Sequence, residues 1–269
     1  MPRIVTHVRP HLDDICAAWL VRRFWRGFGD APVSFINNAD RPVDVDASPD
    51  KIYVGVGRGR FDEHRGVLDA CAASLVWDEL HPTAEADDLT KRAVGRLVAW
   101  VLAEDTGRLK TGAEREFSVP SLIDGRFFAS GESSESATAF GLEILDALLE
   151  NLRGRLRLED DWAGRREFQS HFGRAVALVT DEREVDSYAY AQGFDLVLIV
   201  DHAGTYRTFR ARADAPIDLT PVAEALAERD PDAKWFFHHS KHLLILGGDH
   251  GGGPKPSRLS LDEMIELVK

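Results

Sequence analysis

Apolar positions along this chain fall into two rhythms, one for each half. Residues 3–6 form a short apolar run that predicts a buried strand. Ile15, Trp19, Leu20, Phe24 and Trp25 then recur at helical spacing and predict a helix over 13–26. Val33 to Ile36 and Ile52 to Val56 predict two more strands, separated by the Asp/Pro-rich stretch from Arg41 to Asp50. Helical patterns cover 68–80 and 86–103, the second stopped by Gly107. Residues 108–135 are the least regular and end in a polar loop at Ser130–Ser136. Phe140, Leu142, Leu145, Leu148 and Leu149 predict a long helix over 136–155, and a further helix is expected over 160–172.

From Ala175 the pattern changes. Ala175–Val179 and Asp195–Val200 are dense apolar strands, and Thr205–Arg212 alternates as a half-buried strand does. Arg210 and Arg212 share a face of that last strand, which reads as a solvated edge. A helix over 219–229 precedes Trp235–Phe237 and Leu243–Leu246, which the spacing across Ser240-Lys241-His242 joins as a hairpin. The fold class is therefore α/β. We expect a parallel-sheet N-terminal domain with flanking helices over 1–158, a linker helix, and a smaller C-terminal α/β domain over 159–269.

Bulk composition narrows the function classes. A net charge of −12 over 269 residues disfavours non-specific binding to long nucleic acid or to anionic membrane. No apolar run approaches the ~18 residues of a membrane span. The opening Met-Pro-Arg-Ile-Val lacks a secretion pattern, so a cytoplasmic location is expected. The two cysteines, Cys16 and Cys71, read as small buried hydrophobes.

Two clusters carry candidate chemistry in the first half. His7, His11, Asp13 and Asp14 fall within eight residues between a strand and a helix. Imidazole and carboxylate suit divalent transition metals, and His7, His11 and Asp13 can surround one while Asp14 begins the helix. The competing reading is that His7 caps a strand and the aspartates cap the helix. Asp62-Glu63-His64 follows another strand. Together they place a metal centre at the carboxyl edge of a sheet, where open α/β folds hold ligands. In the second half, His238-His239-Ser240-Lys241-His242 precedes a glycine-rich run through Gly248, His250, Gly251 and Gly252. Backbone N–H groups there can approach an anion, with Lys255 and Arg258 adding charge.

The pattern of His7, His11, Asp13 and Asp14 after a first strand, followed by Val54-Gly-Val-Gly-Arg-Gly-Arg-Phe-Asp-Glu-His, resembles the DHH phosphoesterase superfamily. That resemblance implies a metal-bearing domain, a linker helix and a smaller domain whose glycine-rich loop holds substrate. His7 matches the leading histidine, His11 stands at the usual first aspartate, and Asp13 matches the second. Asp62 matches the first residue of the Asp-His-His signature, Glu63 replaces the metal-ligating middle histidine, and His64 matches the last, placed for phosphate contact. Asp105 is similar to a further family aspartate, and His250 to the histidine of the substrate loop. The chain departs at Gly55, where most members carry an aspartate bridging two metals.

The resemblance implies a metal-dependent phosphohydrolase acting on a small nucleotide-type ester or anhydride, or a short oligonucleotide. His7, His11, Asp13, Glu63 and Asp105 would bind manganese or another divalent metal, as one ion or two. His64 would act with Asp62 as its orienting partner, and His239, the glycine loop, Lys255 and Arg258 would hold substrate. A non-catalytic nucleotide- or partner-binding regulator of the same fold and a nuclease on longer single strands are the alternatives. A homodimer is compatible with the sequence.

Overall fold

The computed structural model describes residues 1–109, 114–247 and 256–269. They divide into two compact units, Met1–Arg153 and Gly154–Lys269, and the division falls within a long helix, slightly before the boundary expected from sequence.

The first unit is built on three parallel strands, β1 (Arg3–His7), β2 (Val33–Ile36) and β3 (Lys51–Tyr53), in the order β2-β1-β3. Ile4, Val5 and Thr6 of the central strand are all buried, as expected where both faces of a parallel strand are covered. Helix α1 (Leu12–Phe24) follows β1 directly; Asp13 and Asp14 sit in its first turn and Arg22 and Arg23 in its last, which complements the helix dipole. It packs against α2 (Ala72–Leu80), with Phe24 and Trp77 ring centroids 5.5 Å apart. Helix α3 (Asp88–Asp105) is capped where the Asp87 side chain accepts from the Thr90 N–H at 2.6 Å, and it ends by presenting Asp105.

Two departures from the sequence expectation occur here. Strand β3 stops at Tyr53, because the chain turns at Gly55, with φ +61° and its N–H bonded to the Phe61 carbonyl at 2.8 Å. The irregular region 108–135 contains helix α4 (Val119–Ala129), which has Pro120 in its first turn and buries only Ile123 and Phe127. That i, i+4 pair is too narrow a stripe to register as periodicity.

Helix α5 (Ser134–Asp161) runs into the second unit, whose mixed sheet has the order β4-β5-β6-β7-β9-β8. Its strands are β4 (Arg166–Ser170), β5 (Gly173–Val179), β6 (Leu196–Val200), β7 (Arg207–Ala211), β8 (Phe236–Phe237) and β9 (Leu243–Leu246). Only β5 and β6 run parallel. Strand β6 is buried throughout and its side chains alternate between two cores. Leu196, Leu198 and Val200 meet Val222 and Leu226 of α7 (Thr220–Arg229) and Met264 and Ile265 of α8 (Leu261–Glu266). Val197 and Ile199 meet Leu158, Trp162, and Val185 and Ala189 of α6 (Val185–Ala191). The helix expected over 160–172 is absent: α5 ends at Asp161 and β4 pairs antiparallel with β5. Trp162, Phe168 and Phe172 mimic helical spacing, but edge pairing decides. Strand β7 is likewise no edge. It lies between β6 and β9, its Arg207 buried and bonded to the carbonyls of Leu259 and Gly204. Arg210 pairs with Asp186, and Arg212 with Asp214.

Candidate metal centre

The site forms where β1 and β3 end. The chain leaves β1 at His7, turns through Arg9 at φ 60°, and enters α1 with His11 as the residue before the first turn. Asp14 turns back across that turn, and its Oδ2 accepts from the His11 backbone N–H at 2.8 Å and meets His7 Nε2 at 2.8 Å. The other ring nitrogen, Nδ1, lies 2.8 Å from the Val8 carbonyl, which can only accept. Both imidazole nitrogens thus face acceptors, and the bond to Asp14 raises the His7 pKa to about 9 against the opposing effect of burial.

After β3, Asp62 fixes a short 3-10 turn (Glu63–Arg65). Its Oδ2 accepts from the Arg58 N–H at 2.6 Å, and its Oδ1 accepts from the His64 N–H at 3.0 Å and meets His64 Nδ1 at 2.9 Å. Glu63 Oε1 is 3.0 Å from the same Nδ1, while Glu63 Oε2 is buried without a hydrogen-bond partner. The His64 ring itself is 71% exposed.

These segments line one cavity of about 450 Å³, bounded by His7, His11, Asp13, Asp14, Gly55, Glu63, His64 and Asp105. Asp13 is 4% exposed, with its Oδ2 accepting from the Ala72 N–H at the start of α2, at 3.3 Å. Burial, then the charges of Asp14, Asp105 and Glu63, push its carboxyl well above the usual range. Burial raises Glu63 and Asp105 too, with Asp14 adding to both. The cavity therefore concentrates carboxylates that resist ionisation in one another's company. No arginine or lysine is among the residues lining it.

The donors fit a divalent ion. Ligand atoms of His7, His11 and Asp14 lie within 4.8 Å of one another, as do those of Asp62, Glu63 and His64. The mixture of imidazole nitrogen and carboxylate oxygen suits manganese, iron or zinc. The orphaned Glu63 Oε2 is a buried acceptor lacking the partner such an ion would be.

Of the residues singled out from sequence, His7, His11, Asp13, Glu63, His64 and Asp105 share this cavity, and Asp62 lies buried behind His64. Asp14, read as a helix-starting residue, faces the same cavity and holds two of its histidine groups. In the second unit, His239 is exposed with its ring centroid 4.1 Å from that of His238, the two rings tilted by 38°, and Arg258 is 84% exposed with Nη2 3.6 Å from Asp232. Gly248, His250, Gly251, Gly252 and Lys255 lie outside the described residues. Among the described residues, no helix is long and apolar enough to cross a membrane.

No family model and no curated protein matches the chain. Among solved structures, it is similar to the DHH domain of a member of a ribosomal-protein family at 11% identity, covering 91% of this chain and 82% of that one, with a TM-score of 0.33. It is similar to an uncharacterized protein from Helicobacter pylori at 10% identity, covering 99% and 97%, with a TM-score of 0.29. RecJ from Thermus thermophilus, solved in complex with Mn2+, is 16% identical, covering 92% of this chain and 49% of RecJ, with a TM-score of 0.28. Likenesses at this level assign no role to any residue.

Proposed function

We propose that this chain is a metal-dependent phosphohydrolase, manganese being the preferred ion, that acts in the cytoplasm on a small phosphate ester or anhydride of nucleotide type. The observation that carries the reading is one cavity lined by three imidazoles and four carboxylates, with a buried carboxylate oxygen left unpartnered. His7, His11, Asp13, Asp14, Glu63 and Asp105 would hold the ion. Bound there, it supplies Lewis acidity toward a phosphoryl oxygen and charge to offset the acidic wall.

The remaining chemistry belongs to the chain. Asp62 takes the Nδ1–H of His64, which orients the ring and leaves Nε2 to exchange a proton with the leaving group. Asp62 is itself held by two backbone N–H groups, so His64 is positioned by the 3-10 turn. Without an ion, the cavity would repel a phosphate, since carboxylates line it and, among the described residues, no Lys or Arg does. Catalysis should therefore depend wholly on metal. In the second unit, His239, Gly248, His250, Gly251, Gly252, Lys255 and Arg258 are proposed, from their residue types, as contacts for a phosphate-bearing ligand.

The test is a manganese-supplemented panel of linear dinucleotides, cyclic dinucleotides, pyrophosphate and short oligonucleotides. The expected result is turnover of at least one member, abolished by chelation and strongly reduced in His64→Ala, which still binds manganese. A protein that loads manganese yet turns over nothing overturns the hydrolase and leaves a non-catalytic, metal-dependent binding protein. The net charge of −12 favours small substrates over long strands, and the oligonucleotide arm tests that directly.

A further inference from the structure

Gly55 lies where the chain leaves β3 and faces the cavity. A Cβ built on it would stand 1.6 Å from Asp14 Oδ1 and 2.9 Å from Asp14 Cγ. Neither distance is sterically allowed, so the Asp14 carboxylate occupies the volume that any side chain at position 55 would claim. The two hydrogen bonds to Oδ2, from the His11 backbone and the His7 ring, fix this rotamer and turn Oδ1 onto the glycine. Asp14 is 2% exposed, and relaxation outward would break both bonds.

We propose that Asp14 and Gly55 are a matched pair: Asp14 supplies from helix α1 the metal-binding carboxylate for the strand-end corner of the cavity, and Gly55 is the notch that admits it. The inference rests on the metal-binding reading above and adds which carboxylate completes the His7/His11 donor set and why position 55 has no side chain. Position 55 has φ +61°, which disfavours most side chains, though aspartate and asparagine tolerate that region best. A carboxylate introduced at 55 would thus enter the corner that truncation of Asp14 empties. The pair is reciprocal: one carboxylate fits, two collide.

The experiment titrates the full-length protein with Mn2+ by isothermal calorimetry, with a thermal melt of each variant as a fold control. Asp14→Asn keeps the volume and an acceptor for the His11 N–H while removing the charge, and it should weaken manganese binding by about 100-fold, the upper end for groups supporting a metal site. Gly55→Ala should weaken binding by displacing Asp14, yet cost no further affinity when added to Asp14→Ala, a strongly non-additive cycle. The double variant Asp14→Ala with Gly55→Asp should regain affinity to within about tenfold of the parent, as a cycle between touching residues allows. If D14N binds manganese like the parent, or the double variant stays as weak as D14A alone, the pairing is overturned while the metal site stands. If the parent binds no manganese, the metal reading falls and the pairing with it.

Discussion

Ionisable groups are arranged in opposite ways in the first unit's cavity and along the second unit's sheet. In the second unit, three of the basic side chains noted in the sequence pair with acids: Arg210 with Asp186, Arg212 with Asp214, Lys241 with Asp218. The sheet beneath them has an interior strand, β6, that is apolar and buried end to end. In the first unit, Asp13, Asp14, Glu63 and Asp105 line one cavity with three histidines, and burial and mutual repulsion push three of those four carboxyls upward. Charges matched by neighbours stabilise a surface and ask for nothing more. Like charges held together in a cavity describe a ligand of the opposite sign.

Substitutions can break this contrast from either side. The largest effect is expected from His7→Ala combined with Asp13→Ala, which should abolish manganese uptake, read by metal analysis of the purified protein, while far-UV circular dichroism stays nearly unchanged. Leu198→Ala should do the reverse. Leu198 is fully buried in the second unit, so the variant should lose about 2–5 kcal/mol of stability by chemical denaturation. Its manganese affinity at a temperature where it remains folded should equal the parent's.

Next in size is a pH effect. The His7 pKa, raised from 6.5 to about 9 mainly by Asp14, means that the metal-free protein carries a proton between these two groups at neutral pH. A metal ion must displace it, so manganese affinity should rise about tenfold per pH unit up to that value. The metal-free fold behaves oppositely: a raised histidine stabilises fully below 6.5, and that contribution is lost as pH climbs through about 9. Thermal melts with and without manganese should therefore diverge with rising pH. Parallel curves would mean that His7 is not a ligand.

The smallest effect belongs to a finished pair. Lys241 holds the Asp218 carboxyl down to about 2. A depressed carboxyl stabilises above its ordinary 3.8 and loses that contribution as pH falls through about 2. Lys241→Ala should shift the melting temperature slightly at neutral pH and not at all at the acid end, with manganese binding untouched.

Much of the first unit could be read from sequence because its chemistry is local. His7, His11 and Asp13 are close in the chain, and Asp62, Glu63 and His64 are contiguous, so residue type and a strand-then-helix rhythm sufficed to group them. Asp14 reads from sequence as a helix-starting carboxylate that suits the dipole, and since neighbours on a helix point about 100° apart, nothing local places it beside Asp13 in one cavity. The structure resolves this by anchoring them differently, Asp13 against the start of α2 and Asp14 back across its own first turn. The signal lay in the glycine at 55, whose meaning requires knowing what stands opposite. In the second unit, strands β5 and β6 were plain from their apolar density, but the interior place of β7 depends on pairing with β9, more than thirty residues onward. No local pattern records such a partner. Strand β4 is a different case: its partner is the adjacent β5, with Ser170 opposite Gly173, and its short, largely exposed face carries too little apolar alternation to read as a strand.

The most direct measurement is an anomalous-scattering map from crystals of the full-length protein soaked in Mn2+. The account predicts a manganese peak inside the cavity bounded by His7, His11, Asp14 and Glu63. A map with no peak there, or with manganese only on exposed surface carboxylates, would contradict it.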